Sequence, residues 1–394
     1  MKKLSSRNYT LHKIGQFIGV VFLAGLLLFI WQLYRGSIGL PFLKPYIIRA
    51  LNHDDTDYQV TLDEVNLELV RSVRPLRIIA TNVVYKKENA LTITAPRLAL
   101  SFSIKALLRG IIAPSSIDVD RPEIYVFSRY GVKEEKSSEE INKKKLAYYI
   151  EQAEDFWEHF NSEDNVYPES YINSINISQA NVELLEVDLG KKWHFSDVNY
   201  TFDRGFGHLS TEINAQMPFD NSVSSLGLAA DYIYRDQKVE LKFYFEDLIP
   251  ANLLQILAAG ETSKDFYNIR IPLHGKLSTV LNLKELSLDK DDLLADSGKI
   301  IDKIKFELDG EKGKIKFSED ENYDYEVSGL VLKGEISGNL EKIKITDAGL
   351  NLDNQQADLG LEVNGLKEYL QNGLKKDLEI RLTAKVKELE TDKL

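Results

Sequence analysis

The sequence predicts a mainly β protein: a single N-terminal transmembrane helix, then an elongated, curled antiparallel β-sheet shaped like a groove, with short covering helices. Three observations predict it. Ile14 to Tyr34 is a run of 21 positions without one charge. Most of the chain beyond it alternates apolar with polar residues. Turn signals such as Asp309-Gly310, Ser337-Gly338-Asn339 and Asn364-Gly365 punctuate the alternation.

The charge-free run comes first. A helix rises about 1.5 Å per residue, so the run spans roughly 30 Å, the thickness of a bilayer's hydrocarbon core. Lys2, Lys3, Arg7 and Lys13 precede it with no acidic residue among them. Basic flanks stay on the cytoplasmic side, so residues 1–13 are expected inside and the body outside. Ile14, Phe17, Leu23, Leu27 and Phe29 are the expected anchor residues of span 14–34, with Trp31 and Tyr34 at the outer interface. The rival is a cleaved signal peptide. Its apolar core would be shorter, and Tyr34-Arg35-Gly36-Ser37 is a poor cleavage site.

Residues 35–132 read as a first β module with a short leading helix, Leu40 to Leu51, whose Leu43, Ile47 and Leu51 share a face. Pro41 and Pro45 sit where a first turn tolerates them. Val65, Leu67 and Leu69 then alternate with Asn66 and Glu68, and Leu98, Leu100, Phe102 and Ile104 with Ala99, Ser101 and Ser103. That period of two marks a strand with one buried face. Residues 133–168 read as a charged helical insertion. Ser137 and Glu140 form a capping box, and Leu146, Ile150, Ala153, Trp157 and Phe160 make one stripe. Residues 169–394 return to repeated strands from Ile175-Leu184 to Leu378-Val386, interrupted by a second short helix at Pro250-Ala259.

Composition excludes several classes of function. A net charge of −12 argues against nucleic acid, whose phosphates need clustered Lys and Arg. The chain has no cysteine, so disulfides, Fe–S clusters and thiol nucleophiles are out. None of the six histidines has a second at metal-ligand spacing. Asp289, Asp291 and Asp292 have Leu294 where a calcium loop requires Gly. No nucleophile elbow, phosphate loop or dinucleotide fingerprint occurs. The expectation is a non-enzyme without cofactor or metal.

Alternation alone leaves two uses for the apolar face. It packs against a second sheet, or it lines an open trough. An anchor in a bilayer favours the trough, because acyl chains slid along an apolar wall stay out of water, at roughly 25 cal/mol per Å². The expected groove residues are Leu67, Leu69, Leu98, Leu100, Phe102, Ile104, Leu330 and Leu332.

Leu40-Pro41-Phe42-Leu43, Val60 to Leu69, Pro75-Leu76-Arg77-Ile78 and Pro96 to Phe102 resemble the amino-terminal pattern of AsmA-like envelope proteins, in particular the YhdP-type branch. Leu107-Leu108-Arg109-Gly110, Arg121-Pro122-Glu123-Ile124, Asp247 to Pro250, Ile271 to Leu277 and Ser328 to Gly334 follow in the same order. The resemblance implies a bacterial inner-membrane anchor, a periplasmic β-groove and movement of phospholipid between the inner and outer membranes, with no catalytic residues. The alternative is a non-catalytic envelope scaffold that regulates outer-membrane assembly.

Members of that branch run longer, so the chain is expected to be the first part of a longer protein. Its last strand would leave an edge for an envelope protein partner near Leu378 to Val386. About 25 short strands are expected, giving a trough near 100–120 Å.

Overall fold

The structure, a computed structural model, describes residues 19–25, 27–29, 31–52, 57–69, 76–128, 167–187, 191–219, 221–252, 269–282, 301–316, 325–337, 342–352, 355–364 and 379–386. It is mainly β. Twenty strands among the described residues join one sheet. They are β1 Ile38–Gly39, β2 Tyr58–Thr61, β3 Glu64–Leu69, β4 Leu76–Lys87, β5 Leu91–Phe102, β6 Pro114–Asp120, β7 Glu123–Ser128, β8 Ser174–Glu186, β9 Lys191–Arg204 and β10 His208–Phe219. There follow β11 Ser222–Ile233, β12 Lys238–Leu248, β13 Ile269–Arg270, β14 Leu273–Asn282, β15 Ile301–Gly310, β16 Gly313–Ile315, β17 Tyr325–Ser337, β18 Lys342–Leu352, β19 Gln355–Asn364 and β20 Glu379–Val386.

Four pairs of strands act as single interrupted strands: β2 with β3 along β4, β6 with β7 along β5, β13 with β14, and β15 with β16 along β17. The ladder therefore has about fifteen ranks from β2–β3 to β20, or roughly 65–70 Å at about 4.8 Å each. Among the described residues this is fewer ranks than the 25 strands expected, and single strands reach 13 or 14 residues.

Among the described strands, pairing is antiparallel except at one place. β8 runs parallel to both β6 and β7, so the sheet is mixed rather than wholly antiparallel. Parallel neighbours need a long crossover, and residues 129–173 separate β7 from β8. The predicted helix of that stretch, Ser137 to Phe160, lies outside the described residues. Of the second predicted helix only residues 250–252 are described, and they are helical.

Residues 19–25, 27–29 and 31–35 are helical (α1), and most of their side chains are exposed. Among the described residues no helix is long and apolar enough to cross a membrane. Ile14 and Phe17 lie outside them. α2 covers Lys44–Leu51, with Pro45 in its first turn. Its Ile47 and Ile48, with Leu40 and Leu43, pack on the buried cluster of Val60, Leu62, Val65, Ala80, Val83 and Ala95. Leu51, expected on that face, is exposed.

The first edge of the sheet is closed by side-chain and backbone pairing. The Asn52 amide donates to the Val60 carbonyl at 2.7 Å and accepts from the Val60 N–H at 2.6 Å, taking the place of a neighbouring strand beside β2. β1 pairs with Leu67 and Asn66 of β3, and the Leu40 N–H donates to Val65. Such devices keep an edge from pairing with other chains.

A line of irregularities crosses the sheet at one level. Asn82, Arg121, Gln179 and Asp197 have positive φ angles of 48°, 49°, 53° and 48°. The ladder links their levels: Arg97 lies opposite Asp120, Asp120 opposite Ser178, and Asn199 opposite Asn214, where β10 also shifts register. Local hydrogen bonds hold the line. Asn82 donates to Asp63 at 2.8 Å, and Asn199 accepts from the Gln179 N–H at 3.0 Å while donating to the Asp197 carbonyl at 2.9 Å. A bulge bends its strand and increases its twist. Bulges aligned over neighbouring ranks therefore add local twist at one level of the sheet.

Candidate functional site: an apolar face without a second layer

One register row shows how the face is built. Val65 pairs with Ala80, Ala80 with Leu98, Leu98 with Val119 and Val119 with Ile177. The row continues through Tyr200, Ile213, Leu228 and Phe243 to Leu277, Phe306, Gly334 and Ile345. Every member is apolar, apart from the phenol of Tyr200. The next row runs Leu67, Ile78, Leu100, Ile117, Ile175, Phe202, Thr211, Ala230, Leu241, Thr279, Ile304, Ile336 and Ile343. Shorter rows add Leu226, Phe245, Leu308, Leu332, Leu330 and Leu350.

The other face is charged over its second half. Lys242 leads through Ser278 and Lys305 to Glu335 and Lys344. Lys303 meets Glu335 at 2.5 Å, and that cation holds the half-buried Glu335 carboxyl below its ordinary range by hydrogen bonding.

All the described strands belong to one sheet, and the helical elements in contact with it are α2 against β2 and the 3₁₀ turn Pro168–Tyr171 against β6. α2 covers the first ranks; further along, Ile213, Leu228 and Leu277 remain 38%, 44% and 38% exposed. Between Val182, Phe195, Val198, Ile213, Ala215, Leu226, Leu228 and Phe243 lies a depression of about 280 Å³ with a wholly apolar lining. Fully buried apolar side chains form small separate clusters, such as Ile271, Leu273 and Val327 beneath Phe245 and Leu330. Among the described residues there is no single continuous core.

Glycines opposite aromatic residues shape the surface. Gly275 faces Phe245 and Gly334 faces Phe306 across the ladder. The rings lie over them so closely that a Cβ would come within 2.3 Å and 2.5 Å of ring carbons. The rings thus lie along the wall. On the opposite face the Tyr244 ring crosses Gly227, and its hydroxyl donates to Glu212 at 3.0 Å and to Asn214. Asn214, then Tyr244, holds the Glu212 carboxyl below its ordinary value. Burial, then the Glu212 acceptor, pushes the Tyr244 phenol up.

Of the predicted groove residues, the register brings Leu67, Leu98, Leu100, Leu330 and Leu332 to the apolar face, all half-buried, with Leu69 at the end of β3 on the same alternation. Phe102 is half-buried just past a register shift at the end of β5. Ile104 is corrected: it begins a short helix, α3 (Ile104–Leu107), and is 75% exposed. Strand pairing stops there because the Ser103 hydroxyl accepts from the Ala106 N–H at 3.2 Å, capping the helix.

The burial within β5 also runs against simple alternation. Ala99 and Ser101 are buried, while Leu98 and Leu100 are half-exposed. Arg77 of β4 meets Asp118 of β6 at 3.3 Å across β5, sheltering the small side chains between them. The leucines lie on the apolar face, Leu98 against the buried cluster on which α2 packs.

Sequence reasoning missed Ile213, Leu228, Phe243 and Leu277 as individual lining residues. Their signal was present in alternation, but only the register identifies them as one row. Among the described residues no group of three or more His, Asp or Glu is placed to hold a metal ion. No protein-family model, no curated protein and no solved structure matches the chain.

Proposed function

We propose that the chain is a membrane-anchored, non-catalytic lipid-handling protein of the bacterial envelope, whose apolar trough receives the acyl chains of phospholipids moving between inner and outer membranes. The observation that carries this reading is the apolar face: register-matched apolar residues run along thirteen ranks, and beyond the ranks that α2 covers Ile213, Leu228 and Leu277 stay exposed. A soluble protein gains nothing by leaving such a wall uncovered, whereas each methylene laid on it leaves water with a gain of about 0.8 kcal/mol. Headgroups remain in water at the open side, so no buried charge has to be neutralised.

The proposed anchor is the apolar run that includes α1. Leu23, Leu27, Phe29, Trp31 and Tyr34 are 44–65% exposed, and the Arg35 guanidinium sits 4.8 Å over the Trp31 ring. Exposed apolar helix followed by an aromatic–basic collar suits a bilayer and its interface. The proposed topology is single-pass in the inner membrane with the body periplasmic. An envelope protein pairing along β20 is a further proposed partner.

Photo-crosslinking probes at Leu100, Leu228 and Leu332, with controls at Glu240 and Lys344 on the opposite face, test the reading in cells. Phospholipid adducts at the first three and none at the controls are expected. Absence of adducts at all three in a folded, membrane-associated protein would favour the envelope scaffold instead.

A further inference from the structure

We propose that the tip formed by residues 103–113 is a second membrane contact, which seats one long edge of the sheet on the phospholipid interface beside the anchor. The tip joins β5 to β6. Ile104, Leu107, Leu108 and Ile112 are 75%, 50%, 85% and 75% exposed there. These four aliphatics are displayed by a braced scaffold. The Ser103 N–H donates to the Ala113 carbonyl at 3.0 Å and closes the tip, while Ala106 and Ala113 are fully buried against Tyr171. Arg109 donates to the Tyr171 hydroxyl at 3.3 Å.

Charge chooses the occupant. In a chain of net charge −12, residues 103–113 carry Lys105 and Arg109 and no acidic residue. Aliphatics interleaved with cations match the boundary between acyl chains and anionic headgroups.

Position agrees. β1 pairs Ile38 with Leu67, so the chain leaving α1 reaches the sheet at the Leu69 end of β3. Antiparallel pairing puts Leu76 of β4 and the end of β5 on that same edge. The tip stands two to three ranks away, roughly 10–15 Å. The inference rests on the anchor part of the proposed function, and is independent of lipid passage along the trough.

The absence of cysteine makes the test direct. The full chain carrying Leu108→Cys is labelled with an environment-sensitive fluorophore and reconstituted into vesicles containing nitroxide phospholipids. The control is Glu88→Cys, in the turn at the opposite edge. Blue-shifted emission quenched by shallow nitroxides at position 108, and aqueous emission at position 88, are expected. Reversing Lys105 and Arg109 to Glu should weaken quenching on vesicles containing an anionic phospholipid, about five-fold per cation, and much less on zwitterionic ones. An aqueous probe at position 108 in protein that floats with the vesicles overturns the proposal. So does a blue-shifted probe that no lipid quenches, which would mean a protein covers the tip. Lost crosslinking in the trough with intact quenching here would sink lipid passage alone.

Discussion

Glycine decides how the wall is tiled at Gly334. A Cβ there would lie 2.5 Å from the Lys344 carbonyl oxygen as well as 2.5 Å from the Phe306 ring, and a backbone atom cannot swing aside as a ring can. Gly334→Ala should therefore cost about 1–3 kcal/mol by overpacking. Gly349 sits one strand away with nothing within 4 Å of its missing Cβ. Gly349→Ala should be neutral or stabilising by up to about 1 kcal/mol, since glycine weakens strand interiors. Denaturant melts of both variants check the contrast, and equal losses would refute the close-approach argument. Tyr244 offers a pH test. Glu212 has its pKa held below 4.5, so its share of the tether is present above that value and fades as pH falls through the folded one. Tyr244 is raised above 10.0, so its share is present below 10.0 and is lost as pH rises through the folded value. The stability gap between the wild type and Tyr244→Phe should be widest between those limits and narrow on either side. A gap that is flat with pH would assign the tether to the ring alone.

At the scale of the element, most strands were legible because their alternation is uninterrupted. Ile175 to Leu184 and Leu226 to Tyr234 each predict a strand the structure contains, as β8 and β11. β4 was harder. Its apolar positions run Ile78, Ala80, Val83, Tyr85, and the bulge at Asn82 moves them from even to odd numbers mid-strand. Parity is a local signal, so one left-handed residue erases it. The extension of β5 to Ile104 failed for the complementary reason: the alternation continues in the letters while Ser103 has already capped a helix. The parallel pairing of β8 depends on a crossover whose destination no local pattern encodes. For the site, sequence placed Leu98, Leu100, Leu330 and Leu332 on one apolar face, as the register does, but could not choose between an open face and a sandwich core. Substitution separates those two directly. Leu228→Asp on the open face should keep the fold and cost at most about 1 kcal/mol, since its carboxylate can stay hydrated. Val327→Asp, at a position with no exposure, should unfold its region, because a buried unpaired carboxylate costs several kcal/mol. Circular dichroism and limited proteolysis read the difference. Equal unfolding by both would mean the face is covered.

Among the described residues the molecule is one sheet whose main contacts run between neighbouring ranks. Its stability is then close to a sum of nearest-neighbour terms, as in repeat proteins, rather than the property of one core. The proposed trough would need this arrangement, since any element that tied distant ranks together would have to cross its opening. The consequence is graded unfolding. Val327 anchors a local cluster with Ile271 and Leu273 of the β13–β18 region, and Val65 anchors another with α2 at the first ranks. Val327→Ala should raise amide exchange through β14, β15, β17 and β18 while leaving β4 and β5 protected as in the wild type. Hydrogen-exchange mass spectrometry resolves the two ends of the sheet. A compact sandwich would lose protection everywhere by the same factor, because its strands share one cooperative core. Uniform loss reaching β4 and β5 would therefore overturn the single-layer reading and, with it, the open wall on which lipid handling depends.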